Sequence, residues 1–433
     1  MDKAERTAAD AHASRVDDDG GAPARWKVVG PGLVVAATGV GAADMVATLV
    51  AGSRYGYGLL WAVILGVVLK IILVEGAGRY TLATGRTIFE GWRTLGRWTT
   101  WYFGPYIMIW GFVYGATAMS SAAMPLAALF PGVDLKVWAI AMGLAGFAMV
   151  WFGRYAVFEK ITAALVGLMF VTVVGLAVIA VPNIPAMARG LVPVIPRGGV
   201  LYTLALAGGV GGTITLAAYG YWLREKGWYT PKWMKVMRID NTMAYVLTGI
   251  FVVAMLIVGA EVVRAAGVSL SAGDEGLLDL TAVLRERYGT VVGTGFLVGF
   301  WAASFSSILG VWNGVSLMFA DFWANVRGLP SGHPDTRVGG KYFRFYIVWL
   351  TFPPMVLFLL NKPIGLILLY GILGSLFMPF LAITLLGLLN GRRAPAGWGN
   401  NLIRNILMGV TAALFIVLGV QQLWKEASGL LGG

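Results

Sequence analysis

Apolar residues in this chain come in long runs. Eleven recur from Val28 onward, at about 28–51, 56–76, 101–130, 137–153, 161–181, 200–222, 241–263, 289–319, 343–361, 363–389 and 403–424. Each approaches or exceeds the ~20 residues that carry a helix across a bilayer. Those at 101–130 and 289–319 are longer than a membrane requires, so they are expected to tilt or project beyond it. The pattern predicts an all-α integral membrane protein with eleven transmembrane helices. Residues 1–27, rich in Ala, Asp and Arg, lack the apolar core of a signal peptide. They read as a disordered cytoplasmic tail ahead of one polytopic domain over 28–433.

Two runs are interrupted. The first contains Ala37-Thr38-Gly39-Val40-Gly41-Ala42-Ala43-Asp44-Met45, and the sixth contains Gly208-Gly209-Val210-Gly211-Gly212-Thr213-Ile214-Thr215. Small residues commonly let membrane helices pack closely, and either segment alone fits that reading. Paired breaks five spans apart, one of them with a carboxylate, fit corresponding broken helices of two five-helix repeats better. Five is odd, so the second repeat is inverted, as in LeuT-like folds. Repeat one covers about 28–181 and repeat two about 200–389, with an extra helix at about 403–424. Broken helices in matching positions are the strongest sequence pointer to a transporter's binding site.

Composition agrees with the membrane reading and narrows the chemistry. Charged residues make up 12% of the chain and the mean hydropathy is +0.76. The net charge of +12 raises the question of nucleic acid. The alternation of the runs answers it: 23 Lys/Arg fall on the side of the N-terminus and 9 on the other, the bias of a cytoplasmic N-terminus. With no cysteine, disulfides, zinc–thiolate sites and cysteine nucleophiles are excluded. His12 lies in the tail and His333 in a polar loop, so no histidine serves a haem or a proton relay inside a span. Phosphate-binding, nucleophile-elbow and dinucleotide motifs are missing, which leaves no enzyme reading.

Asp44 is the key candidate. A carboxylate at mid-membrane is costly unless paired or wet, by at least ~2.5–3.5 kcal/mol. It reads as an ion ligand, or as the N-cap of the second half-helix; the two roles are compatible. Glycines 39, 208, 209 and 211 mark the breaks, with Gly41 and Gly212 beside the ion. Thr38, Thr213 and Thr215 offer hydroxyl and main-chain oxygens, although such threonines commonly bond back to their own helix. Ser304, Ser306, Ser307 and Asn313 form a polar stripe in span 8 that reads as helix–helix glue before it reads as pore lining. Lys70 and Glu75, near the inner end of span 2, are expected to pair or snorkel. Asp240 and Asp321 fall at membrane edges, where solvation is the default. Met45, Met119 and Met124 read as packing.

These positions resemble the Nramp family of divalent metal transporters over nearly all of residues 28–424. Gly30-Pro31-Gly32-Leu33, Ala51-Gly52 with Tyr55-Gly56-Tyr57 and Leu59-Leu60-Trp61, Ala83-Thr84-Gly85 with Glu90, Glu159-Lys160, Ser306-Ser307 and Pro379-Phe380 carry the likeness. The resemblance implies unwound helices 1 and 6 around an ion. It also exposes departures. The family's Asp-Pro-Gly-Asn falls on Gly41-Ala42-Ala43-Asp44, so its metal-binding Asp is Gly41 and its Asn is Asp44. Its Met-Pro-His falls on Thr215-Leu216-Ala217, and its acidic stretch in helix 3 reads Ala116-Thr117-Ala118-Met119-Ser120-Ser121.

Loss of the thioether hardens the donor set toward magnesium or manganese and away from iron. Loss of the helix-3 acids and the histidine argues against proton coupling. The expectation is a secondary transporter of a divalent cation, with Asp44 and Thr215 as metal ligands. No cofactor, no nucleic-acid partner and a monomer in a bacterial inner membrane are expected. An organic-solute transporter on the same fold, or a non-transporting membrane sensor, is the alternative.

Overall fold

The computed structural model describes residues 31–39, 42–152, 155–209, 212–265, 267, 275–330, 332–360 and 363–431. Each of the eleven runs is helical there. The first holds two helices, α1 (Pro31–Gly39) and α2 (Ala42–Tyr55). Then come α3 (Leu60–Thr84), the short α4 (Ile88–Leu95), α5 (Arg97–Leu129), α6 (Leu135–Phe152), α7 (Tyr155–Ile179) and α8 (Ile184–Arg189). The sixth run divides into α9 (Val200–Leu204), a π-helical turn over Ala205–Gly209, and α10 (Thr215–Glu225). The second half holds α11 (Met234–Val258), α12 (Glu275–Arg327), α13 (Lys341–Thr351) with a 3-10 extension over Pro353–Leu360, α14 (Pro363–Leu388) and α15 (Leu402–Leu431). No strand occurs among the described residues.

Eight helices among the described residues are each long and apolar enough to cross a membrane. The other three runs are the first, whose described helices stop at Gly39 and resume at Ala42, the sixth, which is divided, and the tenth, counted only over Leu376–Leu388. The stops and starts have local causes. Pro31 opens α1, where its missing N–H is no loss. Gly85 ends α3 with φ 67°, its N–H bonded to Thr81 O. Thr87 and Glu90 then form a reciprocal capping box that opens α4. The 53 residues of α12 are two helices meeting at Gly289 (φ 84°, ψ 162°), where the eighth apolar run begins.

Helix α10 lies in the centre, with every residue from Thr215 to Leu223 buried. Helix α3 lies against the sixth run. A Cβ at Gly66 would sit 2.8 Å from Ala207 O, and one at Gly78 would sit 3.0 Å from the Tyr219 ring. By contrast, α6 and α15 are only 22% and 29% buried over their apolar windows, as helices facing lipid would be.

Asp240 and Asp321 depart from expectation, and Lys70 does not snorkel, because helices run past the ends of the apolar runs. Helix α3 continues to Thr84, so Lys70 lies in its middle. It is fully buried and does not snorkel. Helix α11 begins at Met234 and α12 extends to Arg327, which draws Asp240 and Asp321 inside helices. Neither carboxylate relies on solvent; protein donors replace it.

Candidate functional site

The break of the sixth run is present, whereas that of the first falls on Val40-Gly41, outside the described residues. Helix α1 ends at Gly39 and α2 starts at Ala42; the π turn ends at Gly208-Gly209 and α10 starts at Thr215. Gly41 and Gly211 lie outside the described residues, as do residues 1–27. Gly212 has φ 92°, a backbone conformation that L side chains rarely adopt, so the crossing between the half-helices needs glycine there. Helix ends leave main-chain groups without intrahelical partners; at the start of α10, Leu216 N–H and Ala217 N–H are met by Thr213 O and Ile214 O, each at 3.1 Å.

Asp44 is the third residue of α2. It is therefore not the N-cap; the helix begins two residues ahead of it. A carboxylate in the first turn is still favoured by the helix dipole. Its side chain, like that of Met45, lies outside the described residues.

The threonines divide sharply. Thr38 donates its hydroxyl to Val34 O within α1. Its main-chain oxygen accepts from Ser307 Oγ at 3.0 Å, leaving a second lone pair. Thr213 and Thr215 are 1% and 2% exposed, and neither hydroxyl has a partner among the described residues. Helix α14 closes over Thr213, where a Cβ at Gly374 would sit 2.5 Å from Thr213 Cγ2.

The stripe on α12 is mainly glue, as its sequence suggested. Ser306 bonds to Ala303 O. Asn313 Oδ1 accepts from Trp222 Nε1 at 3.1 Å and so holds α10. Ser307 joins α1 to α5 through Tyr114 Oη at 2.7 Å. Ser304 is buried and lacks a partner among the described residues. Close packing fixes the same seam, since a Cβ at Gly310 would overlap the Thr38 side chain.

Helix α5 contributes aromatic rings where the resembling family carries acids. Tyr114 stacks on Trp110 at 4.6 Å between centroids and lies 5.1 Å from Tyr370 of α14. One turn on, Thr117 bonds to Val113 O and Leu366 O, and Ser121 bonds to Thr117 O. Met119 packs against Gly143 of α6, as a core methionine should. Lys70 lies one turn beyond Gly66, on the face of α3 that meets the π turn. Among the described residues no three His, Cys, Asp or Glu side chains gather as a metal cage.

Further in, carboxylates lock α10 and α1. Asp240 Oδ2 accepts from Gly32 N at 2.6 Å and from Tyr219 Oη at 2.9 Å. Asp321 Oδ2 accepts from Tyr221 Oη at 2.6 Å. Glu75 binds Arg79 (3.2 Å), Arg238 (2.9 Å) and Arg404 (3.5 Å). Arg79 also reaches Trp398 O and Gly399 O, both at 2.8 Å. Sequence reasoning missed Tyr114, Tyr219 and Tyr221. A phenol facing a carboxylate or serine from a distant span leaves no local pattern.

Comparison with known proteins gives a consistent placement. The profile of a family described as natural resistance-associated macrophage protein-like matches residues 32–425. A divalent metal cation transporter, MntH, of Chromohalobacter salexigens is 24% identical over 266 residues, which span 57% of this chain and 60% of that relative. A crystal structure of the Eremococcus coleocola manganese transporter, bound to an aromatic bis-isothiourea compound, superimposes with a TM-score of 0.76 at 14% identity, covering 95% of this chain and 90% of that one. MhsT in complex with L-phenylalanine superimposes with a TM-score of 0.60 at 16% identity, over 92% and 97% of the two chains. At these identities the structural likeness speaks for the fold alone.

Proposed function

Because the chain belongs to the natural resistance-associated macrophage protein-like (Nramp) family, we propose that it is a secondary transporter carrying a divalent cation by alternating access. The observation that carries this reading is the pair of buried, unpartnered hydroxyls at Thr213 and Thr215, beside Gly212, in the break of the sixth span. A buried hydroxyl without a partner costs about 1–3 kcal/mol, and native structures rarely keep one without a ligand or water to meet it. Two such groups beside freed main-chain carbonyls make an oxygen-lined place for a hard cation that keeps part of its water shell. Asp44 supplies the compensating charge, with the main-chain oxygens near Thr38 and Gly212 and the Thr215 hydroxyl as neutral ligands. Magnesium or manganese fits this set better than iron, which gains more from sulfur or nitrogen donors.

Transport runs without proton coupling. Along Ala116–Ser121 there is no carboxylate or imidazole, and Thr117 and Ser121 spend their hydroxyl hydrogens on main-chain oxygens. The membrane potential alone supplies the drive for a divalent ion entering the cytoplasm. The positive-inside bias supports a cytoplasmic N-terminus.

A second reading keeps the fold and changes the cargo. Gly41, Ala42 and Ala43 are small residues at the start of α2, where the helix dipole favours an anion, so a small organic acid or amino acid is the alternative cargo. Flux into proteoliposomes, with manganese, magnesium and calcium at several potentials and with amino acids as competitors, separates the readings. Metal flux lost in Asp44→Ala supports the cation; amino-acid flux without metal flux replaces it.

A further inference from the structure

A cavity of about 900 Å³ lies apart from the helix breaks, between α4, the start of α5, the end of α12 and the start of α13. By the positive-inside assignment this is the cytoplasmic edge of the protein. Its lining divides by height. Arg93, Arg97, Arg327 and Lys341 stand around it, and no Asp or Glu is among its lining residues. Beneath them lie aromatic walls in which Phe103 is fully buried and Phe322 is 7% exposed. At the mouth Trp101 is 73% exposed and Phe345 is 51% exposed, as aromatic side chains are at the headgroup level of a bilayer.

We propose that this cavity holds an anionic phospholipid of the cytoplasmic leaflet, its phosphate among the four cations and an acyl chain against the aromatic floor. Each half of the lining selects against another occupant. Free phosphate has no use for the apolar floor, and a lipid without net charge leaves four exposed cations with no anion among the lining residues. The volume is at the upper end for a ligand site, more than a headgroup needs. Basic residues at the cytoplasmic surface draw acidic lipids from that leaflet.

The site also reaches the transport machinery. Asn325 lines the cavity and donates to Asp321 O at 2.9 Å and to Oδ1 at 3.2 Å; Asp321 in turn holds Tyr221 of α10. An occupied cavity braces the wall that fixes α10. The inference is independent of which cargo is carried.

The test is native mass spectrometry of the purified full chain. Phosphatidylglycerol, phosphatidylcholine with the same acyl chains, and inorganic phosphate are titrated separately. Phosphatidylglycerol is expected to remain bound preferentially. Arg97→Gln/Arg327→Gln is expected to weaken that binding roughly 30-fold, the effect of removing two surface cations. Should that variant fail to fold, Lys341→Gln on exposed Lys341 is expected to give a roughly fivefold loss. Equal retention of phosphatidylcholine, unchanged retention by the variants, or displacement of the lipid by an equal concentration of inorganic phosphate would overturn the proposal.

Discussion

Ser307 on α12 donates its hydroxyl hydrogen to the main-chain oxygen of Thr38, one residue before the end of α1, at 3.0 Å. A serine has one hydrogen, so the 2.7 Å contact with Tyr114 Oη runs the other way, with the tyrosine donating. The relay Tyr114 → Ser307 → Thr38 ties two spans, α5 and α12, to the end of α1. Ser307→Ala breaks both bonds and strands a buried phenol and a buried carbonyl. It is expected to destabilise the protein by about 1–3 kcal/mol and to raise KM for the cargo more than it lowers kcat. Thermal unfolding in detergent and uptake kinetics measure the two effects.

Replacing Thr213 or Thr215 by valine keeps shape and removes an unpartnered hydroxyl. The expected result is unchanged or higher stability, by up to ~1 kcal/mol, with a loss of uptake of at least about tenfold. A valine variant that transports normally would remove these oxygens from the ion site.

Asp240→Ala leaves Gly32 N–H without its acceptor and leaves Tyr219 Oη only the 3.3 Å bond to Met237 O. Helix α1 is expected to detach at its inner end. The chain has no cysteine, so Val34→Cys, at a position 1% exposed, reports that motion alone. Thiol labelling at this site is expected to be at least about tenfold faster in the Asp240→Ala background, the effect of about 1.4 kcal/mol of lost anchoring.

Glu75→Gln turns a compensated cluster into three neighbouring guanidinium groups. Arg79 is buried, whereas Arg238 and Arg404 are partly solvated. The expected loss is about 3 kcal/mol, the low end for a broken buried pair, read as a fall in Tm that high salt partly restores.

The parts of this architecture legible in the sequence are those written locally. Eleven apolar runs and the glycines of the first and sixth runs each rest on residues within a few positions of one another. The parts that were not legible join distant spans. Asp240 and Asp321 looked like solvated edge residues because hydropathy registers a carboxylate without its donors. The partners, Tyr219 and Tyr221, lie 21 and 100 residues away. Asp44 looked like a cap because the break seemed to extend up to it, whereas α2 already starts at Ala42.

Helix α10 is held by Trp222 on Asn313 and by two phenols on opposite flanks. Tyr219 and Tyr221 are two residues apart, about 200° around the helix, and each is fastened to a different neighbour. Turning α10 about its own axis strains both fastenings. Tilting it about the line through the two phenols strains neither. That line is an axle, and the helix is a rocker on it. Thr215 lies about 6–9 Å from the axle along the helix, so a tilt of about 20° carries its hydroxyl about 2–3 Å. That distance is as long as an oxygen–cation bond. A rigid rocking of one half-helix, with its inner bearings intact, is therefore enough to make or release a ligand at the break.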